Sequence, residues 1–190
     1  MERRELFADA EIVEKILGGD KDAFAFIVER YQKGLINFIF RMVGHYEEAL
    51  ELTQEVFIRV YSNIASYDST YKFSTWLYRI ASNLTIDHLR RNDPRAASLD
   101  EVDEDNEKKI ELESGDPGPH DRLEKKMMER EINEAILTLE PLYRELIILR
   151  HIHFRSYEEM AKITNLPIGT VKNRIFRARK LLMERLKGVK

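Results

Sequence analysis

Residues 156–179 read SYEEMAKITNLPIGTVKNRIFRAR, and this stretch predicts a short helix, a tight turn and a second helix. Ser156, followed three residues later by Glu159, has the form of a capping box, in which two side chains satisfy free backbone amides of the first turn. Asn165 tolerates the left-handed geometry that such a turn needs. Pro167 can open the second helix, because its missing N–H costs nothing there. This order is that of a helix-turn-helix.

The second of these helices combines an apolar stripe with an outward face rich in cations. The predicted stripe consists of Val171, Ile175, Ala178 and Leu182. The outward face carries Lys172, Asn173, Phe176, Arg177 and Lys180. Long cations pair with phosphates or guanine and an amide pairs with adenine, so the face fits a major groove. The alternative is a solvated amphipathic helix, but the capped helix and the turn before it favour DNA binding.

Three longer stretches of helical periodicity precede this motif. Apolar residues recur at three- and four-residue spacings over 22–43, 47–65 and 73–91, and no window alternates as a strand would. The polar face of the second stretch carries Glu48, Glu51 and Glu55. The expected fold class is therefore all-α, with two small helical domains.

The charge distribution separates those domains. The net charge of the 190 residues is only −3, but 93–125 hold 12 acidic and 5 basic residues, whereas 167–190 hold 8 basic residues and 1 acidic residue. Pro94 ends the third helical stretch, because proline disfavours helical geometry in the residue before it. We expect a helical domain over 1–92, an acidic flexible linker over 93–121 and a second helical domain over 122–190.

Composition and motifs disfavour several classes of protein. The absence of cysteine excludes disulfides and thiolate metal sites. No apolar run is long enough for a membrane span or a signal peptide, so we expect a cytoplasmic protein. The sequence has no phosphate-cradling glycine loop, nucleophile elbow or His/Cys cluster. We therefore expect no catalytic residue, metal, cofactor or small-molecule substrate.

One segment of the first domain is unusually aromatic. It contains Tyr67, Tyr71, Phe73, Trp76 and Tyr78, interspersed with Lys72 and Arg79. Aromatic faces stack on unpaired bases while nearby cations hold the backbone, and a loop of this kind could take a base swung out of a duplex. Trp76 also lies on the apolar stripe of its helix, so core packing is its alternative role.

Four segments together resemble the extracytoplasmic-function sigma factors of bacterial RNA polymerase. They are LTQEVF (52–57), FSTWLYRIASN (73–83), SYEEMA (156–161) and IGTVKNRIFRAR (168–179). The first resembles the polymerase-docking segment, the second the promoter-melting segment, and the last two the reader of the upstream promoter element. The likeness extends from about residue 20 to 187, so the resemblance implies a sigma factor rather than an enzyme.

The resemblance also implies roles for individual residues. Docking on the β′ clamp helices of core polymerase would involve Glu51, Gln54, Glu55 and Phe57. Contacts to the minus-ten element would come from Tyr67, Tyr71, Lys72, Phe73, Trp76, Asn83 and Asp87. Contacts to the minus-thirty-five element would come from Thr170, Lys172, Asn173, Arg174, Phe176, Arg177 and Lys180. The acidic linker would thread the channel later used by RNA.

The partners implied are core RNA polymerase, including its β flap, promoter DNA and an anti-sigma factor that can be anchored at the inner membrane face. An acidic helix face suits a basic polymerase partner, and the acidic net charge would keep the free chain off bulk DNA. A homodimeric helix-turn-helix regulator is the leading alternative. It explains the C-terminal motif but leaves the aromatic loop and the acidic helix without a function.

Overall fold

The computed structural model describes residues 8–92, 128 and 130–187, and the predicted linker over 93–121 lies outside them. The described chain is helical and contains no strand, which confirms the predicted all-α class. Its helices are α1 (Asp9–Leu17), α2 (Phe24–Val43), α3 (Tyr46–Ser62), α4 (Phe73–Arg91), α5 (described over 130–137), α6 (Pro141–His151), α7 (Tyr157–Thr164) and α8 (Ile168–Lys187).

Helices α1 to α4 form the first helical unit. The three predicted stretches become α2, α3 and α4, although α3 ends at Ser62 and a separate 3-10 turn follows over Ile64–Ser66. The side chains at the centre of this unit are fully buried, which is the main stabilising term for helices of this length. They include Ile27, Leu35, Phe38, Ile39, Met42 and Leu77.

Helix α1 was not predicted from the sequence. Its Ile12, Val13 and Ile16 are buried at the spacing of a helix face, so the pattern was present but only nine residues long. The carboxylate of Asp9 accepts hydrogen bonds from Arg30 and from the hydroxyl of Tyr31, and these bonds attach α1 to α2.

Helices α5 to α8 form the second unit. Pro141 occupies the first position of α6, where proline is tolerated, and a run from Leu146 to Leu149 is buried. The guanidinium of Arg144 donates to the carbonyl oxygens of Leu137 at 2.5 Å and Leu139 at 3.0 Å, which closes the connection between α5 and α6.

The two units pack against each other, with α4 on α6 and α7 and with α2 on α6. Arg144 also donates to the carbonyl oxygen of Met42, near the end of α2. That helix ends at Gly44, whose φ of +90° suits glycine, and Leu137 lies 3.2 Å from where a Cβ would stand. Within residues 8–92 and 130–187, no helix combines the length and apolarity needed to cross a bilayer.

Candidate nucleic-acid interface

The helix-turn-helix forms as the sequence predicts. The Ser156 hydroxyl accepts from the Glu159 N–H at 3.1 Å, and the Glu159 carboxylate accepts from the Ser156 N–H at 2.9 Å. Asn165 ends α7 with φ +53° and ψ +39°, the left-handed geometry expected of it. Val171 and Ile175 of α8 are buried, so the recognition helix is held by its apolar stripe.

The outward face of α8 is exposed along its length. Phe176 is 70% exposed, and the remaining exposed members of the predicted minus-thirty-five set are Lys172, Asn173, Arg177 and Lys180. Thr170 and Arg174 are half-buried at the edge of this face. The face therefore presents cations, an amide and an aromatic ring together, which suits contact with phosphates and base edges.

The loop before α4, residues 66–72, is closed by local hydrogen bonds. The Asp68 carboxylate accepts from the Thr70 N–H at 2.9 Å, and this bond lowers the pKa of Asp68. The hydroxyl of Tyr67 donates to the carbonyl oxygen of Tyr71 at 2.6 Å. The loop presents Tyr71, which is 47% exposed, and Lys72, whose side chain is 75% exposed.

An aromatic cluster lies beneath this loop of residues 66–72, which is the predicted minus-ten loop. The ring centroid of Tyr67 lies 5.2 Å from that of Phe73 and 5.5 Å from that of Trp76. The ring centroids of Phe73 and Trp76 are 5.6 Å apart. Phe73 is only 1% exposed and Trp76 only 7% exposed. Both were predicted to contact the minus-ten element, but in this structure they form the floor of the loop rather than its surface. Trp76 therefore has the core packing that its sequence position also allowed.

The polar residues predicted further along α4 do reach the surface. Asn83 and Asp87 are exposed one turn apart, and a carboxylate oxygen of Asp87 lies 3.9 Å from the guanidinium of Arg90. His88, which had no predicted role, is hydrogen-bonded to the carboxylate of Glu48 and so connects α4 with α3. The carboxylate of Glu48 therefore has a hydrogen-bond partner within the fold.

The predicted docking face lies on α3, where Glu51 and Gln54 are exposed. The carboxylate of Glu55 accepts from the guanidinium of Arg59 at 2.8 Å. Phe57 is 8% exposed and packs edge-on against Phe24, with a centroid separation of 6.2 Å. It therefore lines the adjoining notch from within the core. That notch, of about 260 Å³, lies between α2 and α3 and is lined by Val28, Gln32, Ile36, Leu50, Thr53, Gln54, Phe57 and Ile58.

The predicted minus-ten loop also touches the second unit, which the sequence did not predict. The ammonium of Lys72 lies 2.8 Å from a carboxylate oxygen of Glu159, the capping residue of α7. One turn further along α7, the ammonium of Lys162 lies 4.4 Å from the ring centroid of Tyr71. Tyr71 and Lys72 of the loop therefore each have a partner on α7.

Behind the loop, three residues of α4 spaced four apart face the second unit. Arg155 donates to the Ser74 hydroxyl at 3.1 Å and lies 4.7 Å from the ring centroid of Tyr78. The hydroxyl of Tyr78 is 3.1 Å from Nδ1 of His153, and Ser82 donates to the carboxylate of Glu145. This stripe of Ser74, Tyr78 and Ser82 is called here the inter-unit stripe.

Two titratable groups are buried at this contact. Burial raises the pKa of Glu145 from 4.5 to about 7, while its hydrogen bond from Ser82 and the charge of Arg174 act in the opposite direction. Burial lowers the pKa of His153 from 6.5 to about 4, and the positive charges of Arg155 and Arg41 lower it further. The two groups therefore respond to pH in opposite senses.

We expect Glu145→Gln to raise the free energy of unfolding at about pH 8 and to change it little at about pH 4. The protonated carboxyl contributes stability that is present below the unfolded-state pKa of 4.5 and is lost as the pH rises through about 7. Glutamine stays neutral and keeps groups that can bond Ser82. The gain is on the order of 2–3 kcal/mol, measurable by denaturant unfolding.

His153 supplies the internal control for this prediction. Its lowered pKa costs stability as the pH falls from 6.5 to about 4, and this dependence is the same in the parent chain and in the Glu145→Gln variant. It therefore cancels in the difference between variant and parent. If the free energy of unfolding of the variant exceeded that of the parent by the same amount at pH values of about 5 and 8, the prediction would be contradicted.

The described residues contain no group of three or more side chains suited to holding a metal ion. What they bring together is a helix-turn-helix with an exposed basic helix, an aromatic loop on a separate helical unit, and an acidic helix beside an apolar notch. This arrangement defines a DNA-binding protein of two modules with a further surface for a protein partner.

Family comparisons agree with that class. The family model for Sigma-70 region 2 matches residues 27–95, and the model for Sigma-70, region 4, matches residues 129–182. The chain is 40% identical to the ECF RNA polymerase sigma factor SigW of Bacillus subtilis over 93% of its length and 96% of that protein. It is 34% identical to the ECF RNA polymerase sigma-E factor of Escherichia coli K12, covering 94% of each chain.

The chain therefore belongs to the extracytoplasmic-function sigma factors, which are transcription initiation factors and not enzymes. Two solved structures share its fold. One is CnrH in complex with the cytosolic domain of CnrY, with a TM-score of 0.70, 23% identity and coverage of 97% of this chain and 100% of that chain. The other is the sigma factor RpoE in complex with the anti-sigma factor NepR from Bartonella quintana, with a TM-score of 0.67, 24% identity and coverage of 86% and 96%.

Proposed function

We propose that this sigma factor uses three surfaces in turn: α3 for core RNA polymerase, the minus-ten loop with α4 for the melted promoter strand, and α8 for the minus-thirty-five element. The proposal depends chiefly on one observation. The exposed polar residues of the three segments lie on three different elements, which are α3, the loop with α4, and α8, and each element has the chemistry that its expected partner requires.

The α3 face supports docking on the β′ clamp helices. Glu51 and Gln54 are exposed beside an apolar notch whose rim includes Ile58, which is 60% exposed. A small apolar patch flanked by carboxylates is typical of a protein interface with a polar rim. Glu55 would exchange its bond to Arg59 for a basic group of the polymerase, while Phe57 would support the notch from beneath.

The minus-ten loop supports capture of an unpaired base. Tyr71 offers an exposed ring for stacking and Lys72 a cation for the strand backbone, while Tyr67, Phe73 and Trp76 hold the loop in shape from below. The exposed side chains of Asn83 and Asp87 would meet neighbouring bases along α4.

The exposed face of α8 supports reading of the upstream element in the major groove. Arg177 and Asn173 are suited to base edges, whereas Lys172 and Lys180 are suited to phosphates. Phe176 adds an apolar surface for a thymine methyl group. Thr170 and Arg174, which are half-buried, would contact the backbone at the edge of the groove.

Further partners follow from the family. Both fold neighbours were solved in complexes, one of them with the anti-sigma factor NepR, and an anti-sigma factor is proposed as the regulator of this chain. The sigma factor itself would act in the cytoplasm, where polymerase acts. A membrane-anchored regulator would hold it at the inner face of the membrane. The β flap of polymerase would contact the second unit, and the acidic linker over 93–121 would enter the RNA channel.

Run-off transcription with purified core polymerase on a promoter library tests the proposal. We expect transcripts only when the chain is present, and we expect the selected promoters to share two separated elements. Failure of core polymerase to bind the chain would overturn the assignment. A palindromic footprint formed without polymerase would favour a dimeric regulator instead.

A further inference from the structure

We propose that a cavity between α5, α6 and α8 is a binding site for a free aliphatic carboxylic acid in its anionic form. The cavity, called here the α8 cavity, has a volume of about 490 Å³. Pockets that hold one small molecule have volumes in this range. The proposal goes beyond the proposed function, because it depends on none of the surfaces assigned to polymerase or to the promoter.

The wall of the α8 cavity is mostly apolar. Seven apolar side chains from the three helices and from the residue after α6 line it. Ile136 and Ile147 are each only 2% exposed and form its base, whereas Met183 is 55% exposed and lies at its mouth. The alkyl chain of a ligand would displace water from this wall, and each methylene group that it buries adds to the affinity.

Two guanidinium groups also line the α8 cavity. Nε of Arg179, on α8, donates to Nε2 of His151 at 3.2 Å. Arg41, on α2, donates to the side-chain oxygens of Asn37 and Asn133. These three acceptors are neutral, and among the described residues that line the cavity there is no carboxylate. The charge of Arg179 can therefore pair with the carboxylate of a ligand.

Two histidines indicate that the surroundings of the α8 cavity are electropositive. Burial lowers the pKa of His151, and the positive charges of Arg179 and Arg150 lower it further. Burial also lowers the pKa of His153, which follows the lining residue Ile152, and two further arginines act in the same direction. A positive potential beside an apolar wall favours an anion with an apolar chain over a neutral molecule of the same shape.

A free carboxylic acid fits these features better than a membrane surface does. A guanidinium binds a carboxylate through charge-assisted hydrogen bonds, which are among the stronger hydrogen bonds in proteins. A helix that lies on a bilayer needs a continuous apolar face. At the end of α8, the exposed carboxylate of Glu184 directly follows the exposed Met183, and Leu182 lines the cavity instead.

The first test is isothermal titration calorimetry of the full chain with octanoate, decanoate and dodecanoate, each below its micelle-forming concentration. We expect one ligand per chain and an affinity that rises about fourfold for each added methylene that enters the cavity. Decanol has the same chain length as decanoate but no charge, and we expect it to bind at least about tenfold more weakly. Equal affinities for decanol and decanoate would overturn the proposal.

Two matched pairs of substitutions on α8 test where the ligand binds. Arg179→Gln removes a cation that lines the cavity, and its control Arg185→Gln removes an exposed cation that does not. Met183→Gln changes an apolar lining residue, and its control Leu181→Gln changes an apolar residue, 40% exposed, that does not line the cavity. All four side chains are exposed, so we expect the fold to remain intact, which circular dichroism checks.

The two lining variants should differ in how they affect the acid and the alcohol. We expect Arg179→Gln to weaken decanoate binding about tenfold and to leave decanol binding unchanged, because only the acid uses the charge. We expect Met183→Gln to weaken both ligands on the order of fivefold, because both use the apolar wall. Both controls should bind like the parent. Equal losses for lining and control variants would place the ligand outside the cavity and overturn the proposal.

Two further measurements test other occupants of the α8 cavity. If the chain bound vesicles of phosphatidylglycerol but not monomeric dodecanoate, the end of α8 would be a membrane-binding surface and the proposal would be wrong. If the chain bound core polymerase but no alkyl carboxylate, the cavity would belong to a protein contact and the proposal would likewise fail. Neither result would affect the proposed function, since run-off transcription tests that function separately.

Discussion

Arg177→Ala is expected to weaken binding of the holoenzyme to its selected promoter by about 5- to 150-fold, the range for loss of a specific base contact of about 1–3 kcal/mol. Arg177 is exposed on the outward face of α8, one turn beyond Asn173, and the buried stripe behind it holds the helix in place. The measurement is promoter affinity by anisotropy at two or more salt concentrations. A bidentate guanidinium contact to guanine would make the loss depend on the base at one position.

Arg185→Ala is the matched control for that prediction, since it removes an exposed arginine from the same helix two turns later. It should leave discrimination between upstream elements unchanged. If Arg177→Ala lowered affinity equally for every promoter sequence, and the slope of log affinity against log salt concentration fell by about 1, the side chain would contact phosphate only. That outcome would remove Arg177 from the base-reading residues.

Glu55→Lys is expected to lower affinity for core polymerase by at least about tenfold, because like charges brought together across an interface are strongly unfavourable. The fold should remain intact. The bond from Arg59 to Glu55 is an exposed i,i+4 pair, and such pairs contribute only about 0.3–0.5 kcal/mol. Affinity is measured with purified core enzyme, and thermal unfolding of the free variant checks its stability.

Glu134→Lys provides a closely matched control for the docking prediction. Glu134 forms an exposed i,i+4 pair with Arg130 at 3.0 Å, the same kind of bond on the other helical unit. It should cost similar stability and leave polymerase affinity near that of the parent. Normal transcription by Glu55→Lys would count against the α3 face as the docking surface.

Local sequence was sufficient wherever a structure depends on residues a few positions apart. The bonds between Ser156 and Glu159, the left-handed Asn165 and the burial of Val171 and Ile175 under an exposed basic face all follow from short-range rules of capping, turn geometry and periodicity. The same rules placed α2, α3 and α4 within a few residues of their observed bounds.

The same rules were less informative about single aromatic side chains. Periodicity placed Trp76 on the apolar stripe, whereas the family resemblance placed Trp76 and its neighbour Phe73 among the contacts to the minus-ten element. Both are buried, because Tyr67 folds over them and closes the cluster. Their exposure depends on how the loop folds back on the helix, and helical spacing carries no information about that.

By itself the sequence determined the all-α fold class, the basic outward face of α8 and the family that the chain resembles. Only the tertiary structure decided which polar residues meet across the two units. Glu159 was predicted as a cap and also pairs with Lys72, 87 residues away, and Ser82 meets Glu145 across 63 residues. Apolar periodicity shows that a face is covered but not by what, since the covering element is set by the packing of helices distant in the chain.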